Sequence, residues 1–230
     1  MLRLFGYFAV VFVVLIVLRS IPVIGAPFRI PIVGLLLTVA VVGFVAERVG
    51  TGAVHRRRFQ RMRRDLGQVD TPHNRGKLGA LLLSQGRCAQ AVEHLETAAA
   101  GEPQSAEWHY RLGCALLGAR RREQAAAALT AAAGIDEEHA YGAVLLRLVE
   151  ALHASGRHEE ALEQVRRFER NHGPTPESAY RRGLAFKTLG RKAEAAASFD
   201  DVSRLTAGAA RYQRGEARRF ALRAFLARVV

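Results

Sequence analysis

Across 230 residues the chain has only two cysteines, two methionines and one tryptophan. Cys88 and Cys114 have no Cys-x-x-Cys partner and no histidine at ligand spacing. This excludes a disulfide framework and a zinc ribbon, and fits free thiols in a reducing compartment. The fingerprints H-E-x-x-H, G-x-S-x-G, G-x-x-x-x-G-K-S/T and G-x-G-x-x-G are also missing. Each would place a metal ligand, a nucleophile or a phosphate cradle, so no catalytic residue, metal, cofactor or small-molecule substrate is expected. His153 and His158 with Glu159 and Glu160 are the nearest approach to a titratable cluster, and they read as a solvated turn.

Acidic residues are scarce at the two ends. The formal charge is +13, of which residues 1–64 contribute +9 and residues 206–230 contribute +5, while residues 65–205 sum to −1. A nucleic-acid reader needs its basic stripe on the folded domain, and here the middle of the chain is close to neutral. Anionic lipid headgroups account for the two basic ends more simply.

Uncharged runs extend from Leu4 to Leu18 and from Ile30 to Ala46, fifteen and seventeen residues long. A membrane span needs about 17 to 25 apolar residues, so residues 1–47 are expected to form an anchor of two transmembrane helices, the first lengthened by Ser20 to Ile24. A secretory signal cleaved near Gly25 and Ala26 is the alternative for the first run, and it leaves the second span in place. Arg56, Arg57, Arg58, Arg61, Arg63 and Arg64 follow the second run, whereas only Arg19 and Arg29 lie between the runs. This bias predicts an integral membrane protein with its C-terminal side in the cytoplasm, and those six arginines facing lipid headgroups. Phe59, Met62, Leu66 and Val69 add helical spacing, which predicts a basic juxtamembrane helix over 48–70.

Beyond residue 70 the sequence repeats. Gly86-Arg87-Cys88-Ala89-Gln90-Ala91 returns as Gly156-Arg157-His158-Glu159-Glu160-Ala161 and as Gly190-Arg191-Lys192-Ala193-Glu194-Ala195, and a copy ending at Ala125 has lost its glycine. Four residues after each final alanine stands a large apolar residue: Leu95, Leu129, Val165 or Phe199. Leu78-Gly79, Leu112-Gly113 and Arg182-Gly183 mark the first helix of three units, and Leu148-Val149 stands in the remaining one. Thr71-Pro72 and Thr175-Pro176 are helix-start signals.

On these residues the chain resembles the tetratricopeptide-repeat (TPR) family, whose period is 34 residues. The resemblance implies an all-α solenoid over 71–207, with helix-turn-helix units at about 72–105, 106–139, 142–175 and 176–207. Residues 208–230 would form a degenerate fifth unit or a basic capping helix. In this tail Leu222, Phe225, Leu226 and Val229 share one helical stripe, expected either to close the open end of the solenoid or to lie in a membrane interface.

The resemblance further implies that each unit's first helix lines a concave groove. Lys77, Arg111, Arg147 and Arg181 recur at one position, with Tyr110 and Tyr180 beside two of them, and Cys114, Glu150 and Lys187 fall on the same face. Such a stripe is expected to grip an acidic or extended segment of a partner protein, with arginine engaging carboxylates bidentately. The asparagines that accompany such residues in the family's carboxylate binders have no counterpart here. The expected function is a membrane-anchored scaffold for protein–protein interaction in the assembly of an envelope or membrane complex. A structural subunit acting through its transmembrane helices is the alternative.

Overall fold

The computed structural model describes residues 68–229 together with Gln60, Met62, Arg64 and Leu66. The expected anchor, and the headgroup-facing Arg56, Arg57, Arg58, Arg61 and Arg63, lie outside the described residues. Among those described, no helix is long and apolar enough to cross a membrane. Gln60, Met62, Arg64 and Leu66 are helical, and Arg64 is exposed. Val69, grouped with that helix from its spacing, instead sits in a bend just before Thr71.

Nine helices follow among the described residues: Pro72–Ser84 (α1), Cys88–Gly101 (α2), Ala106–Gly118 (α3), Arg122–Ile135 (α4), Ala143–Ala154 (α5), His158–His172 (α6), Pro176–Thr188 (α7), Lys192–Ala207 (α8) and Arg214–Val229 (α9). Their starts have local causes. Thr71 Oγ1 accepts from the Asn74 amide at 3.2 Å ahead of Pro72. Thr175 and Ser178 form a reciprocal capping box, with bonds of 3.0 and 3.1 Å, ahead of Pro176. Each arrangement satisfies amides that have no partner within the helix.

Helix ends inside the units share one device. The amides of Arg87, Arg121, Arg157 and Arg191 reach back to the carbonyls of Leu82, Leu116, Leu152 and Phe186 at 2.9 to 3.0 Å. This closure requires a left-handed residue just before the arginine. Gly86, Gly156 and Gly190 supply it, whereas Arg120 adopts φ 62° in the copy that lost its glycine.

Consecutive helices pack against each other, and the odd-numbered helices also touch in series, α1 to α3, α3 to α5, α5 to α7 and α7 to α9. They form one continuous layer, with the even-numbered helices behind it. Within each unit the alanine and the large apolar residue four later are buried: Ala91 with Leu95, Ala125 with Leu129, Ala161 with Val165, and Ala195 with Phe199. The glycine of the first helix lets that large residue approach. A Cβ at Gly79 would lie 2.6 Å from Leu95 Cγ, and one at Gly183 would lie 2.5 Å from Phe199 Cε1. The third unit has Val149 in place of the glycine and the smaller Val165 opposite, both buried, so the volume lost on one side is recovered on the other. Each fully buried leucine or valine contributes about 2 kcal/mol.

Between units, Trp108 of α3 lies over Gly76 of α1 and donates its indole N–H to Glu102 at 2.7 Å. The 36-residue step from Ala125 to Ala161 is absorbed by the turn between α4 and α5, where Ala140, Tyr141 and Gly142 are all left-handed. Glu137 and Glu138 in this turn bind Arg167, Asn171 and His172 of α6.

The tail departs from expectation. α9 packs on α7 and α8, but through Ala217, Phe220 and Ala224. Leu222, Phe225 and Leu226, expected either to close the end or to lie in a membrane interface, are 61, 63 and 53 % exposed, so this stripe does not close the end. The reason is steric. Small side chains at Ala217 and Ala224 let the helix approach α7 and α8 closely and leave Phe220 to fill the remaining space beside Tyr180, 5.8 Å between ring centres. Lys187 Nζ then donates to the Ala227 carbonyl at 2.6 Å, and Arg228 donates to the Ala196 carbonyl at 3.0 Å and pairs with Asp200.

Candidate functional site

The recurring basic position falls on α1, α3, α5 and α7, the layer of odd-numbered helices. Lys77 is exposed and has no ion pair among the described residues. The three arginines are each matched to a carboxylate. Arg111 Nε donates to Glu107 at 2.7 Å, Arg147 to Glu150 Oε2 at 2.7 Å, and Arg181 to Glu177 at 2.9 Å and to Glu150 Oε2 at 3.0 Å. Three guanidinium groups thus face three carboxylates. Glu107 and Glu177, four residues before their arginines on the same helices, could have been read from i, i+4 spacing and were missed.

Burial works against charge here, and pairing wins. It tends to raise the Glu150 carboxyl, but Arg181 and Arg147 hold it below its usual range. Burial likewise tends to lower Arg147, and the hydrogen bond and charge of Glu150 raise it instead. Tyr110 is half-buried against the edge of His139, with ring centres 5.4 Å apart, and burial pushes its hydroxyl upward. Burial also raises Cys114, which keeps it a thiol.

A cavity of about 480 Å³ lies where α5, α7 and α9 meet, and Arg147, Glu150, Tyr180 and Arg181 line it together with His153, Glu177 and Leu184. Phe220, Glu216, Arg219 and Arg223 of α9 complete its wall. Arg219 and Arg223 are exposed and pair with no carboxylate among the described residues, and Arg223 lies over the Phe220 ring at 5.6 Å. A second cavity of about 520 Å³, near the start of α7, contains none of the expected groove residues.

Of the nine residues expected on the groove face, four therefore meet in one cavity. Lys77, Tyr110, Arg111 and Cys114 lie on α1 and α3, outside it. Lys187 is directed to the α9 carbonyl described above. His153, read from sequence as part of a solvated turn, lines the cavity, with its Nδ1 3.1 Å from His158 Nδ1. Among the described residues no three potential ligands converge on a metal position. The α9 wall was missed because its contribution depends on which face of α9 is buried.

A family model for the tetratricopeptide repeat matches residues 77–140 and 146–210, more than half of the chain. The chain belongs to the tetratricopeptide-repeat family. No curated protein matches the sequence. Among solved structures, the TPR solenoid is similar to a crystal structure of MamA at 21 % identity and TM-score 0.57, covering 68 % of this chain and 91 % of that one. A second MamA structure is similar at 20 % identity and TM-score 0.60, covering 72 % and 98 %. A thermophilic TPR protein of Thermus thermophilus, TTC0263, is similar at 18 % identity and TM-score 0.56, covering 79 % and 96 %. Identities this low carry the TPR fold alone.

Proposed function

We propose that this TPR protein is a non-enzymatic scaffold, anchored in a membrane by its N-terminal apolar runs with the repeats in the cytoplasm, and that its groove binds an acidic or extended segment of a partner protein. The α5–α7–α9 cavity is the single observation that carries the binding part. It combines apolar surface from Tyr180, Leu184 and Phe220 with two unpaired guanidinium groups, a composition suited to a side chain bearing a carboxylate. Arg147 and Arg181 have a different role in this reading from the one their recurrence implied. Glu150 and Glu177 already neutralise them, so they shape the floor and exchange partners only if a ligand carboxylate displaces these two. Arg219 and Arg223 are the cations a ligand meets first.

The anchor is supported by the length of the two uncharged runs and by the arginine bias after the second. Envelope or membrane-complex assembly is the setting such a tethered scaffold would serve.

A pull-down with the full chain in detergent tests the groove. Arg219→Glu/Arg223→Glu should abolish capture of the partner, while Lys77→Glu, outside the cavity, should leave it intact. Capture that survives the double substitution overturns the groove reading. Fusing a topology reporter after Arg64 tests the tether separately, and an extracytoplasmic signal there overturns the proposed orientation.

A further inference from the structure

The helix α9 is apolar on two opposite faces. One is taken up by α7 and α8 through Ala217, Phe220 and Ala224. The other carries Leu222, Phe225 and Leu226, each more than half exposed and within about two turns of one another. Three large side chains grouped in this way form an exposed patch of the kind that marks a contact surface. Arg218 lies within the patch and Arg219 stands at its border with the cavity, both exposed and without a carboxylate partner among the described residues. Glu216, the one acidic residue of the helix, lines the cavity with Phe220 instead.

We propose that the outward face of α9 lies on an anionic bilayer surface, with Leu222, Phe225 and Leu226 entering the acyl boundary and Arg218 and Arg219 engaging headgroup phosphates. Apolar and cationic groups on one exposed face are the two requirements for interfacial binding, which strengthens with buried apolar area and with anionic lipid. A second copy of the chain is the poorer occupant on grounds of charge. Pairing α9 with α9 would set Arg218 and Arg219 against their own kind. Pairing it with α1 would meet Lys77 on a helix that has no acidic side chain. Lys187 of α7 donates to Ala227 near the far end of α9, and Arg228 at that end donates to Ala196 of α8, so the patch is held in place before any lipid arrives and docking does not require the helix to fold on the membrane. The proposal rests neither on the groove reading nor on the N-terminal tether.

The test uses the full chain carrying Cys88→Ala and Cys114→Ala, with a polarity-sensitive dye on Leu226→Cys or, separately, on Leu222→Cys. Tyr141→Cys, at a site 92 % exposed on the turn between α4 and α5, serves as the solvent control. The protein is mixed with phosphatidylcholine vesicles prepared with and without phosphatidylglycerol. Expected are a blue shift and quenching by doxyl-labelled lipid at both α9 sites in the phosphatidylglycerol vesicles, with no change at residue 141. Arg218→Glu/Arg219→Glu should remove both signals. Dyes on α9 that report water as the control does would overturn the proposal. So would equal quenching in both kinds of vesicle, since it removes the role given to the arginines. A shift without lipid quenching that grows with protein concentration assigns the face to a second copy and overturns it as well.

Discussion

Arg181 donates to Glu150 Oε2 at 3.0 Å, and Arg147 shares that same oxygen at 2.7 Å, so one carboxylate on α5 holds two of the recurring arginines. Removing its charge should therefore free Arg147 and loosen Arg181, which Glu177 still holds at 2.9 Å. Glu150→Gln is expected to tighten a Glu-rich peptide in the groove by roughly fivefold, equivalent to about 1 kcal/mol. It should cost less than about 1 kcal/mol of stability, because the pairs are partly solvated. Fluorescence anisotropy with the labelled peptide reads the first effect, and unchanged or weaker binding would show that Arg147 and Arg181 do not reach the ligand.

Arg120 occupies the left-handed turn that glycine fills in the other three units. A side chain in that conformation costs about 1 to 2 kcal/mol relative to glycine. Part of that gain is offset because glycine has more freedom in the unfolded chain. Arg120→Gly should therefore stabilise the solenoid by about 1 kcal/mol. The midpoint of urea denaturation, followed by helix ellipticity, should rise.

Arg182 stands where the other three units have a leucine, and it ties three helices together through Glu169 at 2.6 Å, Asp201 at 2.7 Å and Ser198 at 3.2 Å. Its side chain is 20 % exposed, and that of Glu169 is 15 % exposed. Arg182→Leu restores the apolar residue but leaves Glu169 without its cation and Asp201 with Arg204 alone, at a cost of about 2 kcal/mol. Adding Glu169→Gln and Asp201→Asn should recover most of that loss, a non-additivity that a denaturation cycle measures directly.

His153 has its imidazole pushed below the usual range, first by burial and then by His158 and Arg181. The folded state therefore binds its proton less readily than the unfolded state does. Stability contributed by this site is complete above the unfolded value of about 6.5 and declines as pH falls through it, until the lower folded value is reached. The urea midpoint should drop between pH 7.5 and 5.5, and His153→Gln should flatten that drop. A pH dependence unchanged by the substitution would assign it to other groups.

Much of the fold was legible in the sequence because the repeat states its own packing. Ala91, Ala125, Ala161 and Ala195, each followed four residues later by Leu95, Leu129, Val165 or Phe199, identify the two faces that must meet inside each unit. Gly79, Gly113 and Gly183 identify where the first helix must be thin. The groove was legible only in part. The recurrence of Lys77, Arg111, Arg147 and Arg181 located the lining helices, but it concealed that Glu107, Glu150 and Glu177 cancel three of the four charges. Glu150 is 31 residues from Arg181, and no local spacing joins them.

The tail marks the boundary between the two kinds of information. By itself the sequence determined the repeat period, the buried alanines, the Thr-Pro helix starts and the concentration of charge at the two ends, because each of these follows from side-chain size, capping chemistry or counting along the chain. Only the tertiary structure decided that α9 buries Ala217, Phe220 and Ala224 and leaves Leu222, Phe225 and Leu226 outside. Both stripes have helical spacing and both are apolar, so periodicity cannot choose between them. The choice was made by the shape of the surface that α7 and α8 present, which admits a close helix with small side chains and one phenylalanine.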